Sequence, residues 1–394
     1  MLFIDTDIFE WINTHRHINT DRLLLRYGNN PRLKFAIQQI ICRKKAAKKL
    51  ASTLENDLFI FPTTLSAEQC TSDAAAAYHA SLIPERATAI DLTCGLGIDA
   101  FTIARKSTSV TAFELQESLV EAARHNAHIL GIDNFQIINA DCVSAISTTA
   151  LKADAVFIDP ARRDNTGKRV FGLQDCSPDV TTILPQLLDI APKVIIKASP
   201  MLDIAHTLST LSNIECITAL GTTTECKELI IICTRGHISH CIFKAVTLMG
   251  NNQIKECLID TTTMTEPTYG IPTKSQYLFE PYPAVMKLSH YANLTALYNV
   301  TKCDRDSHLY FSDYETPDFP GHRFKILDIL PFNKQSLRDI QKRYDRLDVT
   351  CRNFPLSAPE LTTRLKVMSD SSTRLFATTC CGQRMLIISA SCEP

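Results

Sequence analysis

The stretch Asp91-Leu-Thr-Cys-Gly-Leu-Gly-Ile-Asp-Ala100 constrains this chain most. It follows the apolar pair Ala89-Ile90, and its glycines, Gly95 and Gly97, come just before a helical pattern. Glycines at a strand-to-helix turn let the backbone pass close to a ligand where a Cβ would clash. The pattern matches G-x-G-x-x-A, a nucleotide-binding signature of the first βα unit of a parallel sheet. By itself it does not separate one cofactor from another.

From residue 88 onward, short apolar strands alternate with helices. Strands are predicted at 89–92, 109–114, 135–139, 155–159 and 193–198, and helices at 98–105, 116–130, 142–149, 179–189 and 202–211. Near-continuous Val/Ile runs between helices predict a parallel sheet covered on both faces. The runs 214–220 and 228–233 are joined by a short polar loop, which permits an antiparallel hairpin but no helical crossover. Upstream, residues 1–60 read as helical, with a basic cluster, Arg43-Lys-Lys-Ala-Ala-Lys-Lys49. A helix is predicted from Ser66 to Ile83, with Ser66 and Gln69 as a capping box and a second start at Thr71-Ser72-Asp73.

Residues 237–320 are richer in Thr, Tyr and Pro, with strands expected at 241–248 and 253–260 and a helix at 283–297. After Phe319-Pro-Gly-His322 the order reads strand 323–330, helix 334–344, strand 346–352, helix 357–367 and two strands within 374–389. The expected fold class is α/β: a Rossmann-like sheet with an N-terminal helical region and C-terminal α+β domains. The expected limits are 1–65, 66–236, 237–321 and 322–394.

Ligands of such sheets bind at the carboxyl ends of the strands. Four successive ends carry acids: Asp91, Glu114, Asp141 and Asp159. Each would repel a phosphate-rich cofactor. A cofactor with a sulfonium, an α-ammonium, a ribose diol and an adenine amine suits them. Glu114 is placed for the ribose hydroxyls and Asp141 for the adenine amine. Asp91, with the turn Thr93, Cys94, Gly95, Gly97 and Asp99, is placed for the ammonium end. Leu115 and Cys142 adjoin these acids and are counted with the cofactor site. Taken singly, each acid could equally be a helix cap.

These residues resemble a class I S-adenosylmethionine-dependent methyltransferase over residues 66–235, and the resemblance implies that cofactor. Asp159-Pro160-Ala161-Arg162-Arg163 resembles the Asp/Asn-Pro-Pro-aromatic motif of amino-group methyltransferases. There the acid and the following carbonyl hold the target amine and align its lone pair with the sulfonium methyl. Here Arg162 and Arg163 replace the aromatic, which removes a stacking platform and offers contacts to phosphate or a base. Asp159, Pro160, Arg162 and Lys197 form the expected catalytic set, with Lys197 facing the cleft or pairing with Asp159. The segment from Phe61 to Ser72 resembles one that covers the methionine end of the cofactor, with Gln69 and Thr71 as its contacts.

The run Leu65-Ser-x-Glu-Gln-Cys-Thr-Ser, the Asp-Pro-Ala-Arg-Arg motif and the tail from Arg323 together resemble a bacterial group. Its members join this core to a ferredoxin-like segment and a THUMP-like C-terminal domain. The resemblance implies RNA, tRNA or rRNA, as partner and a base nitrogen as target. Charge agrees: residues 1–60 carry ten Lys/Arg against six Asp/Glu, and residues 322–394 twelve against seven, around an acidic middle. In the tail the positive residues include Lys334, Arg338, Lys342, Arg343 and Arg346. The alternatives are a methyltransferase for a protein or small molecule, and a non-enzymatic RNA-binding protein with a retained cofactor fold. NAD-dependent redox chemistry leaves Asp141 and Asp159-Pro160 unexplained.

Fifteen cysteines include no Cys-x-x-Cys pair, so no metal site is expected. They read as reduced, buried and cytoplasmic. Cys176, Cys226 and Cys233 stand in no recognisable nucleophile pattern and read as structural. No apolar run has the length of a membrane span, and the N-terminal residues lack a secretory layout, so a cytoplasmic protein without a membrane partner is expected.

Overall fold

Three capped helices begin the chain. α1 (Thr6–His15) starts at Asp5, whose carboxylate accepts the Ile8 N–H; α2 (Thr20–Tyr27) and α3 (Pro31–Ala46) start at Asn19 and Asn30 in the same way. Pro31 occupies the first turn of α3, where a missing N–H costs nothing. Ile8, Ile12, Leu23, Phe35, Ile37 and Ile40 bury their side chains together with Ile60 and Ala122. The basic cluster of α3 is largely structural. Arg43 donates to the carbonyls of Asp57 (2.6 Å) and Phe59 (2.7 Å). Lys45 pairs with Glu68, and Lys49 donates to the Glu68 carbonyl.

The computed structural model describes residues 4–148, 150–162, 172–250, 253–262, 266–369 and 372–392. It has two units, Met1–Ile217 with Leu229–Ser239, and Thr218–Glu228 with His240–Pro394.

In the first unit, buried side-chain amides hold residues 59–62 in place. Asn126 serves both the N–H and the carbonyl of Ile60 at 3.0 Å, and Gln39 does the same for Phe61 at 2.8 Å. Buried backbone groups need such partners. The expected helix over 66–83 is in fact two, α4 (Thr64–Gln69) and α5 (Asp73–Ser81). Cys70 and Ser72 are extended, and the Ser72 hydroxyl caps α5 by accepting from Ala75. The capping box joins Thr63 and Ser66, not Ser66 and Gln69.

The sheet follows: β1 (Thr88–Asp91), α6 (Ile98–Ala104), β2 (Ser109–Glu114), α7 (Glu117–Ile129), β3 (Phe135–Asn139), α8 (Cys142–Thr148), β4 (Ala155–Ile158), α9 (Val180–Ile190), β5 (Lys193–Ala198), α10 (Ile204–Thr210), β6 (Ile214–Thr222) and β7 (Cys226–Thr234). Its order is β3-β2-β1-β4-β5-β7-β6. β1 to β5 pair in parallel, and β7 runs antiparallel to β5. The order reverses between β1 and β4, which opens a crevice beyond their carboxyl ends.

The second unit holds the tip of the β6–β7 hairpin and an antiparallel pair, β8 (Ile242–Leu248) and β9 (Ile254–Ile259). Then come β10 (Tyr277–Pro281), α11 (Pro283–Leu288), α12 (Asn293–Tyr298), β11 (Thr301–Lys302), β12 (Tyr310–Ser312), β13 (Gly321–Pro331), α13 (Lys334–Arg343), β14 (Asp348–Arg352), α14 (Ala358–Leu365), β15 (Thr373–Cys380) and β16 (Gln383–Ser391). The expected helix over 283–297 breaks at Ser289, which is left-handed with φ 61°. Strand order is β11-β12-β10-β13-β16-β15-β14. Because β10 pairs with β13, the residues on either side of position 321 share one sheet. Two clusters fill its core, one around Leu278, Phe324 and Phe376, the other around Ile340, Leu361 and Leu386.

All fifteen cysteines are free thiols, nine of them buried. No helix among the described residues is long and apolar enough to cross a membrane.

Candidate active site

β1 is central, and Asp91 at its end is 1% exposed. Its Oδ1 accepts the Thr93 N–H at 3.0 Å. Burial pushes this carboxyl up to about 8, opposed by the Thr93 N–H and reinforced by the negative charges of Asp99, Asp159 and Glu114. Four acids around one crevice make a field that favours a cation. In the protein alone, Asp91 takes up a proton on folding, because its folded pKa lies above its unfolded one. Stability therefore falls as pH rises from about 4 to 8, and the penalty is complete above that window. Asp91→Asn keeps the acceptor for Thr93 and removes the titration. Its melting temperature is expected to fall less than wild type's between pH 5 and pH 8 in buffered thermal scans. Equal slopes would show that Asp91 does not titrate there.

The turn after β1 is built from its own polar groups. Cys94 N–H donates to the Phe113 carbonyl at 2.9 Å, and Gly95 N–H donates to Glu114 Oε2 at 2.9 Å. Glu114 Oε1 accepts the Gln116 N–H at 2.9 Å. The acid at the end of β2 is thus aimed at the turn by two backbone donors, and each oxygen keeps a lone pair. The two glycines differ. Gly97 has φ +92°, and a Cβ there would stand 2.4 Å from the Phe101 ring. Gly95 has φ +55°, and a Cβ there would meet only the Thr93 carbonyl at 4.0 Å. Close approach explains Gly97 through the protein's own ring, whereas at Gly95 the space is open.

Asp159, at the end of β4, sits beside this turn: its N–H donates to the Thr93 hydroxyl at 2.7 Å. Its Oδ2 accepts from Lys197 Nζ, at the end of β5, at 2.7 Å. Lys197 is 6% exposed and also donates to Thr71 Oγ1 at 2.9 Å. Thr71 donates to Asp99 Oδ2 at 2.5 Å, and Asp99 Oδ1 lies 2.7 Å from His79 Nδ1. Burial alone would raise Asp99, but the charges of His79 and Lys197 bring it down to about 2.

The structure therefore brings Thr71, His79, Asp91, Thr93, Gly95, Asp99, Glu114, Asp159 and Lys197 into one connected set. Other residues singled out from sequence stand differently. Asp99, grouped there with the cofactor turn, directs both oxygens into the protein. Asp141 caps α8, accepting from Val143 N–H and from the Ser144 N–H and hydroxyl. Cys142 and Cys94 are buried, with thiols raised by burial. Gln69 is exposed at the end of α4, and Leu115 is 66% exposed beside Glu114. Pro160 is buried and Arg162 half-buried, next to the backbone bridge between Ala161 and Ser177. Arg163 lies outside the described residues. His79 is the member of the set that sequence reading missed; a lone histidine in the alanine-rich α5 carries no spacing signal. Among the described residues, no group of three or more His, Cys, Asp and Glu could hold a metal ion.

The strand order, the reversed final strand and the glycine turn between β1 and α6 define a class I methyltransferase sheet. Residues 277–320 match the model of a ferredoxin-like domain, and residues 321–390 that of a THUMP domain-like module. The fold as a whole is similar to a crystal structure of a candidate methyltransferase from Porphyromonas gingivalis W83, with a TM-score of 0.88, 26% identity and 100% of both chains covered. A 23S rRNA (uracil(1939)-C(5))-methyltransferase of Marinomonas posidonica is 36% identical over 77 residues, 19% of this chain and 18% of its own. An uncharacterised RNA methyltransferase of Clostridium tetani is 35% identical over 75 residues, 19% of this chain and 16% of its own. The chain thus covers less than a fifth of the length of these curated relatives.

Proposed function

We propose that this protein is an S-adenosylmethionine-dependent methyltransferase acting on a base nitrogen of tRNA or rRNA. Residues 66–236 would carry the chemistry, and 237–321 and 322–394 would serve RNA. The observation that carries the reading is the crevice at β1 and β4, where a glycine turn, Glu114 and the buried Asp91 adjoin the Asp159-Pro160 end. The residues present fit the cofactor. Glu114 retains acceptors for ribose hydroxyls, Gly95 has open space where a side chain would stand, and the acids complement a sulfonium and an ammonium. When bound, S-adenosylmethionine supplies a methyl group activated by its sulfonium.

The chain's own part is positioning. Lys197 holds Asp159 Oδ2, and Asp159 Oδ1 has no protein partner among the described residues. Oδ1 and the Pro160 carbonyl can accept from an amine and orient its lone pair. Asp159 can also take the proton that the methylated nitrogen sheds. Arg162 can meet a phosphate or the face of a base. The curated relatives named as uracil-C5 enzymes raise a carbon target, which needs a thiolate. Burial pushes the Cys176 thiol up and Cys226 up to about 11, and Cys233 is fully buried, all of which favours nitrogen.

Calorimetry with S-adenosylmethionine and its demethylated product, followed by nucleoside mass spectrometry of RNA from a deletion strain, tests the reading. No binding, or no missing methylated nucleoside, would sink it.

The RNA part has its own test. Lys334, Arg338 and Lys342 are exposed at i, i+4 and i+8 on α13, whereas Arg343 pairs with Asp328 and Arg346 donates to the Ser369 carbonyl. Truncation at 322 would remove β13 from the shared sheet, so substitution is the cleaner probe. Arg338→Glu with Lys342→Glu is expected to weaken RNA binding and lower the slope of log affinity against log salt by about 1 per lost phosphate contact. An unchanged slope would remove α13 from the RNA surface.

A further inference from the structure

We infer that Thr71, Asp99 and His79 are positioning residues that act through Lys197 on Asp159, rather than contacts for the cofactor. The inference rests on the methyltransferase reading above and deepens it. The geometry is a chain of alternating partners. Asp159 Oδ2 accepts from Lys197 at 2.7 Å, Lys197 donates to Thr71 at 2.9 Å, Thr71 donates to Asp99 at 2.5 Å, and Asp99 meets His79 Nδ1 at 2.7 Å. A second link bypasses Thr71, with Lys197 Nζ 4.0 Å from Asp99 Oδ2.

The chain has one open end. The side chains of His79, Asp99 and Lys197 are 0%, 11% and 7% exposed, and that of Asp159 is 29%. Asp159 is the most open of them to a substrate. A buried lysine on four rotatable bonds has no fixed place of its own; each partner it gains removes a rotamer choice. Thr71 and Asp99 come from outside β4 and β5, so they fix the ammonium independently of the acid it must hold. His79 fills the far oxygen of Asp99, and its ring lies 5.4 Å from that of Phe157, two residues before Asp159. Each oxygen of Asp99 faces a partner from the protein interior, and the side chain is 11% exposed. An oxygen so committed is poorly placed to receive the cofactor's ammonium. The Thr71 hydroxyl donates inward and accepts from Lys197, so it has no proton left for a cofactor carboxylate.

The test separates turnover from cofactor binding. Thr71→Val keeps the shape and deletes the hydroxyl, and Thr71→Ser restores it. The full-length variants are assayed with tritium-labelled S-adenosylmethionine and total RNA from a strain lacking the gene, and the cofactor's Kd is measured by calorimetry. Thr71→Val is expected to lower kcat roughly 10- to 100-fold with the cofactor Kd within about threefold of wild type, the scale of a misplaced catalytic group. Thr71→Ser is expected to recover turnover relative to Thr71→Val. Asp99→Asn, which keeps size, serves as the second variant and is expected to show the same split. A cofactor Kd raised tenfold or more with kcat preserved would place these residues on the cofactor and overturn the inference alone. A wild-type protein that binds no cofactor would overturn the functional reading, and the inference with it.

Discussion

Asp159→Asn is expected to abolish methyl transfer while leaving S-adenosylmethionine binding intact. The substitution keeps the shape of the side chain and the backbone N–H that donates to Thr93 at 2.7 Å, so the wall of the glycine turn stays in place. What it removes is the charge that Lys197 meets at 2.7 Å and the acceptor pair offered to an amine. An amide presents a donor on one side. In one orientation that donor opposes the Lys197 ammonium, and in the other it opposes the substrate N–H. Either way the target nitrogen loses its alignment, which costs on the order of 10²-fold or more. Loss of the base that takes the product proton adds a comparable factor. The expected result is a fall in kcat of at least roughly a thousandfold with the cofactor Kd unchanged. Thermal scans guard against a trivial loss of fold, since the substitution leaves Lys197 buried beside Asp99 and Thr71. Full turnover in the variant would remove Asp159 from its assigned role.

The sheet was largely legible because its units are long and repetitive. Val156-Phe157-Ile158 and Val194-Ile195-Ile196 are continuous apolar runs, as strands buried on both faces require. The short hairpin loop between β6 and β7 also left one topology open. Local backbone choices were less legible. Cys70-Thr71-Ser72 looks compatible with helix, yet Ser72 is more useful as a cap, and the break carries Thr71 to Lys197. Ser289 adopts φ 61° with no glycine to announce it. β10 escaped notice because Tyr277–Pro281 ends in proline and is paired on both sides by strands distant in sequence.

At the candidate site, sequence spacing could find acids at strand ends but not what each acid faces. From their places at strand ends, Asp91 was assigned the ammonium end, Glu114 the ribose hydroxyls and Asp141 the adenine amine. In the structure one is buried with a raised pKa, one is tied to the glycine turn, and one caps its own helix. The link from His79 to Asp99 spans twenty residues and depends on burial, which no local pattern encodes.

The sharpest test of the opening motif comes from the contrast between its two glycines. Both have positive φ, so any L-residue at either is strained by about 1–2 kcal/mol. At Gly97 a Cβ also strikes the Phe101 ring at 2.4 Å, and Phe101 is buried in α6. Gly97→Ala is therefore confounded: weaker cofactor binding could follow from a displaced helix start alone. At Gly95 a Cβ projects into open space, 4.0 Å from the nearest atom beyond its chain neighbours, while the N–H bond to Glu114 is preserved. Gly95→Val adds volume only where a ligand held by Glu114 and the turn would lie. It is expected to lower stability by its backbone strain, about 1–2 kcal/mol for an L-residue and more for a β-branched one. It is expected to weaken S-adenosylmethionine binding at least roughly a hundredfold, because close approach of a ligand to this turn tolerates no side chain. Measured side by side, Gly97→Ala should lose stability first and Gly95→Val should lose cofactor first. If Gly95→Val binds the cofactor as tightly as wild type, the ligand does not sit against this turn, and the signature that opens the sheet serves the fold alone.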